Sequence, residues 1–441
     1  MSRRVSLSVA LSMLLVCFVP TGAFGEEARA MSLEELVEMA RSESHQVRQS
    51  RLEVRRAELA GEEARMGRWP TASAEAQYRN NLSLPVIVLP PDSPFGDVLR
   101  TGARHNFTGT LQVSVPVYSA QLNRSIEVSQ AVATLEKALQ EATVREVEVE
   151  VERAFLNGLV SRESYAVLRE SHEALLRNLS LVEALYEEGL VPEYDLIRTE
   201  VQARNLEPEL ERARNGYQGA LNYLKLLVGL PIEEAIELDG DLRDLYESRA
   251  GHREVAEFSE NRDLMQLRGQ EEVVRQRIGL ERAAYWPTVG AFGTFSYQGQ
   301  GDNLAVWDYN WTDTATVGLS LTIPLYSPGL RQRVEQAEVE ALQVSLQREF
   351  LEESLRSQFD TTTRRLEELE AMIEAQERNV EQAERGYSIA RQSYEEGAYS
   401  LMDVNDAEAA LRDARMNYRS ALAEYVQAVL DLEDLLGRRG Q

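Results

Sequence analysis

The sequence is written twice, and this duplication constrains the fold more than any other feature. Val-Pro-Val-Tyr-Ser at 115–119 recurs as Ile-Pro-Leu-Tyr-Ser at 323–327, which is 208 residues later. The same offset relates the two copies of Tyr-Glu-Glu-Gly at 186–189 and 394–397. A constant period of this size predicts two structural repeats, each of which spans the same distance.

Each repeat has the same order of segments: a helix, a strand pair and two long helices. Trp-Pro-Thr at 69–71 recurs at 286–288 with an offset of 217, so the first repeat carries nine extra residues. They fall in the Pro-rich stretch 84–97, which predicts a loop. The predicted first repeat, 26–230, contains a helix over 33–67, a β-hairpin over 71–117 and long helices over 120–188 and 191–228. A linker follows over 231–250, and the second repeat, 251–441, contains a helix over 251–284, a β-hairpin over 288–325 and long helices over 328–396 and 399–436.

The strand segments alternate strictly between apolar and polar residues. In 105–117, Phe107, Leu111 and Val113 share one face, and threonines and Gln112 share the other. Strands of about ten residues with this period, flanked by aromatic residues, are typical of a transmembrane barrel, although one buried face of a soluble sandwich gives the same alternation. Four strands cannot close a barrel around water, whereas three chains would supply twelve.

The first 25 residues predict a secretory signal peptide. Arg3 and Arg4 precede a short apolar run, and Ala23 and Gly25 suit a small-residue cleavage site. The only cysteine, Cys17, lies in this segment, so we expect no cysteine-based metal site. The net charge of −26 argues against nucleic acid as a partner. No cofactor, metal site or catalytic constellation is predicted, and we do not expect an enzyme.

The long helices carry a heptad pattern but leave two architectures open. Between Leu355 and Tyr394, ten of twelve positions spaced by four and three residues are apolar or aromatic. An antiparallel coiled coil without a channel and a ring of helices around a lumen both fit this pattern. The strands and the export signal favour the ring. Pro208, whose counterpart is Met416, predicts a kink in the first repeat only.

The order of these motifs, written twice over about 33–437, resembles the TolC-like outer-membrane efflux protein family. The resemblance implies a mainly α fold with a small β contribution: long coiled-coil helices that form an α-barrel, and four strands that form one third of a twelve-stranded transmembrane barrel. It implies a homotrimer in the outer membrane of a Gram-negative bacterium, in contact with outer-membrane lipid. The trimer would be an exit duct for efflux or type I secretion, coupled through a periplasmic adaptor to an inner-membrane pump.

The resemblance also implies a gate at the periplasmic tips. Asp403 and Asp406 match carboxylates that ring the closed mouth in the family. Such close carboxylates would raise one another's pKa, although an Asp in the first turn of a helix also interacts favourably with the helix dipole. At the position that matches Asp406 the first repeat has Arg198. Asp195 and Tyr394 match a link between neighbouring tips.

A second family link uses an Arg and a Thr, and here Tyr399 and Tyr194 stand in their place. The adaptor would dock at the tip residues, whose glycines are kept while the family's valine is not. These docking residues are Gly189, Leu190, Gly397 and Ala398.

Two other functions fit parts of the sequence. A periplasmic coiled-coil scaffold or adaptor without a conducting pore would explain the helices but not the alternating strands. A stand-alone diffusion porin would explain the strands but leave the long helices without a role. The export duct accounts for both.

Overall fold

The computed structural model of the protein describes residues 29–88, 98–251 and 255–437. The predicted signal peptide 1–25, with Cys17, lies outside the described residues. The first half contains β1 (Arg29–Met31), α1 (Leu33–Glu43), α2 (His45–Met66), β2 (Thr71–Asn80), β3 (Val86–Val88), β4 (Val98–Arg100), β5 (His105–Ser119), α3 (Ala120–Glu187) and α4 (Glu193–Val228). The second half contains β6 (Ile236–Leu238), α5 (Leu242–Glu247), α6 (Arg262–Ala283), β7 (Thr288–Gly301), a 3₁₀ turn (Val306–Asp308), β8 (Asn310–Thr322), α7 (Leu330–Glu395) and α8 (Leu401–Leu436).

The predicted fold class is confirmed. Helix α3 has 68 residues and α7 has 66, so each is about 100 Å long at 1.5 Å per residue. The order of helix, strand pair and two long helices recurs in the second half. Helix α4 runs through Pro208 without an interruption of its helical assignment, and the kink there stays a prediction.

Three segments differ from the expectation. The helix predicted over 33–67 is two helices, because Ser44 adopts a non-helical backbone between α1 and α2. The helix predicted over 251–284 starts only at Arg262, because Asn261 caps it by accepting a hydrogen bond from the Leu264 N–H. The stretch 84–97, predicted as a loop, includes the strand Val86–Val88, which pairs with Val98–Arg100 just beyond the stretch.

The four long strands form one antiparallel sheet in the order β2, β5, β7, β8. The pairing of β5 with β7 joins the two repeats. The register aligns Ala74, Leu111, Phe295 and Ala315 in one row across the sheet, with Gln112 and Thr294 in a neighbouring row on the other face. The sheet therefore has one apolar face, one face rich in Thr, Ser and Gln, and two open edges at β2 and β8.

The apolar core lies at mid-height of the helical body. One cluster joins α1, α3, α4 and the parallel pair β1–β6, and it includes Leu36, Phe155 and Leu224. A second cluster joins α3, α5, α7 and α8 around Tyr425 and Leu430. Towards the tips only a small cluster of Leu175, Ala203 and Leu206 continues the apolar packing among the described residues.

Candidate gate at the hairpin tips

Both helical hairpins turn in the same way at their tips. Gly189 and Gly397 have φ of 73° and 75°, a left-handed conformation that favours glycine. In each turn the glycine N–H donates to the backbone carbonyl oxygen of Tyr186 or Tyr394, at 2.9 Å. A Cβ at either glycine would meet nothing within 4 Å. The backbone conformation, rather than lack of space, therefore requires glycine at the tips.

The helix that follows the second tip starts with a complete capping box. The Asp403 N–H donates to Ser400 Oγ, and the Ser400 N–H donates to Asp403 Oδ2 at 2.9 Å. The Ser400 hydroxyl and its backbone N–H hold the pKa of the Asp403 carboxyl below its usual range. Within one chain this is opposite to the rise that we expected from neighbouring carboxylates.

The two acidic positions thus have different local roles. Asp403 is exposed and stabilises the start of α8, whereas the side chain of Asp406, also exposed, forms no hydrogen bond or ion pair among the described residues. Arg198 Nη1 in the second turn of α4 lies 2.8 Å from Met402 Sδ in the first turn of α8. A cation from the first repeat therefore contacts the residue that precedes Asp403.

Tyr394 and Asp195 lie near each other, as the predicted link requires. Burial and then the negative charge of Asp195 raise the pKa of the Tyr394 hydroxyl. This hydroxyl is inaccessible to solvent yet forms no hydrogen bond within the described chain. The structure of one chain therefore shows the proximity of the pair but not the link itself.

The predicted docking residues are all exposed at the tips. Leu190 exposes 66% of its surface, and Gly189, Gly397 and Ala398 are also exposed. Tyr194 and Tyr399, which replace the second family link, are exposed on the same end of the molecule. These positions form an accessible surface, and their docking role stays a prediction.

Polar contacts that the sequence did not predict join the two hairpins above the tips. The Asn178 amide donates to Asn405 Oδ1 at 2.9 Å, and the Asn405 amide donates to Gln202 Oε1 at 3.0 Å. One turn further along α8, Glu408 is also buried. A signal was available: Glu408 falls on a four-and-three spacing of otherwise mostly apolar residues in α8.

None of the described helices is long and apolar enough to cross a membrane. Likewise, no group of three or more His, Cys, Asp or Glu side chains in the described ranges is arranged to hold a metal ion.

The helical hairpins, the sheet with one apolar face and the duplication define an outer-membrane channel. The chain belongs to the outer membrane efflux protein family, whose profile matches residues 36–230 and 257–438. The membership makes the protein a channel of the outer membrane of Gram-negative bacteria, with a large periplasmic part, rather than an enzyme. It also supports a role alongside an adaptor and a pump.

Several curated relatives match most of the chain. The cobalt-zinc-cadmium resistance protein CzcC of Cupriavidus metallidurans is 25% identical over 344 residues, which are 75% of this chain and 77% of CzcC. The outer membrane protein TolC of Salmonella enteritidis is 22% identical over 80% of this chain and 74% of TolC. The alkaline protease secretion protein AprF of Pseudomonas aeruginosa is 23% identical over 76% of this chain and 70% of AprF.

Solved structures share the fold at low sequence identity. The Campylobacter jejuni CmeC outer membrane channel superposes with a TM-score of 0.73 at 15% identity, covering 98% of this chain and 94% of CmeC. The outer membrane protein VceC of Vibrio cholerae gives 0.69 at 18% identity, covering 92% of this chain and 96% of VceC.

Proposed function

We propose that three copies of this chain close side by side into one exit duct, whose periplasmic end is gated by the hairpin tips. The proposal rests on one observation: the sheet and the helical layer of one chain each have two open edges. The sheet ends at β2 and β8. Between the core and the sheet, the helices pack side by side in the order α2, α3, α6, α7. Helices α2 and α7 therefore lie at the edges of this layer.

Both helical edges present apolar side chains to solvent. Helix α2 exposes Leu52, Leu59 and Met66, which are spaced by seven residues. Helix α7 exposes a stripe of Val339, Leu342, Leu346 and Phe350. Apolar stripes with heptad spacing are buried when two helices pack, so α2 of one copy fits against α7 of the next.

The internal duplication predicts the register of this contact. Within the chain, a Cβ at Gly269 of α6 would lie 2.3 Å from Leu135 Cδ1 of α3. The residues that correspond to Gly269 and Leu135 in the other repeat are Leu52 of α2 and Gln343 of α7. If copies pack as the repeats do, Leu52 lies opposite Gln343, beside the exposed Leu342.

Closure of three chains supplies the twelve strands that a water-filled barrel needs. The apolar face of the sheet, with Val317, Leu319 and Leu321 exposed, would then contact lipid, and the Thr, Ser and Gln face would line the lumen. At the other end of the duct, Asp403 and Asp406 of three chains would surround the axis. Tyr394 with Asp195 would hold the mouth closed, and a periplasmic adaptor that connects the duct to an inner-membrane pump would dock at Gly189, Leu190, Gly397 and Ala398.

Cysteine cross-linking tests the assembly. Cys17 is the only cysteine in the sequence, so pairs introduced into the secreted protein report specific contacts. Leu52→Cys combined with Gln343→Cys should give a covalent ladder that ends at three chains. Leu52→Cys with Phe350→Cys is the control, because residue 350 lies about 10 Å further along α7. A monomer in detergent, a ladder beyond three chains or equal cross-linking of the control would contradict the proposal.

Single-channel conductance tests the gate. The unmodified protein should show low conductance in a planar bilayer, and the combined change Asp195→Asn and Tyr394→Phe should raise it. Tyr285→Phe is the control, because this exposed tyrosine lies at the end of α6, next to the sheet and away from the tips. The gate is refuted if the conductance of the double variant equals that of the unmodified protein.

A further inference from the structure

The inner face of α8 follows a heptad pattern that two charged residues interrupt. Nine of its eleven positions are apolar or tyrosine, and Glu408 and Arg415 are the exceptions. The positions, spaced by three and four residues, are Leu401, Val404, Glu408, Leu411, Arg415, Tyr418, Leu422, Tyr425, Val429, Leu432 and Leu436. Glu408 exposes only 7% of its surface, so a carboxyl group occupies a place where packing favours leucine.

Glu408 lies between two clefts at the contact of α8 with α3. A cleft of about 220 Å³ opens towards α7, and one of about 250 Å³ opens towards α4. Ser171 of α3 lines the first cleft, and its buried hydroxyl acts on the Glu408 carboxyl group. Water therefore has room to enter beside the carboxyl group from either side.

Charged and titratable groups surround Glu408 on all four helices. Arg415 pairs with Glu170 of α3 at 3.1 Å and with Glu384 of α7 at 3.0 Å, and Arg412 pairs with its neighbour Asp413 at 3.1 Å. The groups that line the clefts or act on Glu408 are Glu170 and Arg177 of α3, Glu209 of α4, Tyr387 and Arg391 of α7, and Arg412, Asp413 and Arg415 of α8. Of these charged groups, Arg412 has the largest effect on the pKa of Glu408, but it already has a carboxylate partner in Asp413.

Burial decides the protonation preference of Glu408. It raises the pKa of the carboxyl group above its ordinary value, against smaller lowering effects of Ser171 and Arg412. The packed arrangement thus binds the proton more tightly than a solvated one. Its extra stability is fully present below the ordinary pKa of 4.5 and is lost as the pH rises through the raised pKa.

We propose that Glu408 is a proton-operated lock between the two helical hairpins. When its carboxyl group is neutral, α8 packs closely on α3; when it is charged, water enters the clefts and this contact loosens. The lock concerns the regulation of the proposed gate, and to that extent it rests on the proposed function.

The first repeat provides a matched comparison. The residue that corresponds to Glu408 is Glu200 of α4. Its side chain is 42% exposed and forms an ion pair with Arg204 one turn away. An exposed, paired carboxylate needs no proton to remain in place, so only the second repeat carries the lock.

Hydrogen exchange on the full-length secreted protein in detergent tests the lock. Protection of peptides 167–178 and 401–415, corrected for the intrinsic pH dependence of exchange, is measured from pH 4, below the ordinary pKa of Glu408, to pH 8. Protection of the unmodified protein should decline with rising pH, by up to about tenfold per pH unit for one linked proton. Glu408→Gln, which is permanently neutral, should remain protected throughout, and Glu200→Gln should behave like the unmodified protein.

A second variant keeps the test decisive if Glu408→Gln folds poorly. Ser171→Ala removes a group that lowers the pKa of Glu408, so it should move the midpoint of the decline to higher pH. The lock is overturned if protection of the unmodified protein is independent of pH, if Glu408→Gln keeps the decline, or if Ser171→Ala leaves the midpoint unchanged. Because exchange reports packing rather than transport, the result is separate from the cross-linking and conductance tests of the duct.

Discussion

Arg249 joins the linker between the repeats to two long helices, and its removal tests how the centre of the molecule is stabilised. Its Nη2 lies 2.6 Å from Glu152 Oε2 of α3, and its Nη1 lies 4.0 Å from Glu433 Oε2 of α8. The Arg249 side chain is 16% exposed and that of Glu152 is 1% exposed. We predict that Arg249→Met destabilises the protein because it leaves carboxylates buried without their guanidinium.

The magnitude follows from this burial. Breaking a buried ion pair by removal of one partner costs about 3–5 kcal/mol. Glu152 and Glu433 each have a further interaction, which places the expected cost at the lower end, about 3 kcal/mol. A chain of 441 residues responds less steeply than domains of 150–250 residues, so the expected fall in Tm is roughly 3–6 °C.

Arg243 in the same linker is the matched control. Its Nε lies 2.9 Å from Glu247 Oε1, but both side chains are 58% exposed, and an exposed pair contributes at most about 1 kcal/mol. Circular dichroism melting curves at one fixed scan rate compare the two variants. Equal shifts for Arg249→Met and Arg243→Met would refute the reasoning. Glu152→Gln added to Arg249→Met should recover part of the loss, because it removes the buried charge.

Three further predictions concern single residues. Gly189→Ala should lower Tm, because the left-handed backbone costs a non-glycine residue about 1–2 kcal/mol. Gly61→Ala inside α2 is the control: a Cβ there meets nothing within 4 Å, so Tm should be equal or higher. A higher Tm for Gly189→Ala than for Gly61→Ala would contradict this prediction. Ser400→Ala should lower Tm at pH 7, because Ser400 stabilises the charged form of Asp403 and lowers its pKa from 3.8. The difference in Tm between the variant and the unmodified protein should shrink in melting curves as the pH falls below about 3.8. Burial raises the pKa of Tyr425 from 10.0 to about 12, so its neutral form contributes stability that is lost as the pH rises from 10 to 12. In an absorbance titration, the unmodified protein should show a tyrosine ionisation near pH 12 that Tyr425→Phe lacks. The absence of this difference would contradict the prediction.

The parts of the fold with a strong local signal could be predicted from the sequence. Strict alternation located the four long strands, and Gly189 and Gly397 located the tips, because each pattern reflects one local backbone geometry. The three-residue pairing of Arg29–Met31 with Ile236–Leu238 could not be predicted in this way. Strands this short have no period, and only the tertiary packing of distant segments decides that they pair.

The candidate site was predictable to a smaller extent. The sequence placed Asp403 in the first turn of a helix, and the structure confirms this position and adds a capping box with Ser400. The proximity of Tyr394 to Asp195 came from the family resemblance, and no local pattern predicts it. Burial of Glu408 depends on which face of α8 meets α3, and this face is clear only when the heptad positions are traced from the apolar end of the helix.

The exposed apolar face of the four-stranded sheet has a consequence for how the protein matures. The helical body has apolar clusters of its own, whereas the sheet has solvent-exposed Leu319 and Leu321 and, among the described residues, no layer packed on this face. The body can therefore fold in water before the sheet finds its final surroundings. Until then, the edges β2 and β8 can pair with any unsatisfied strand, so the sheet is the part of the chain most open to wrong pairing before assembly.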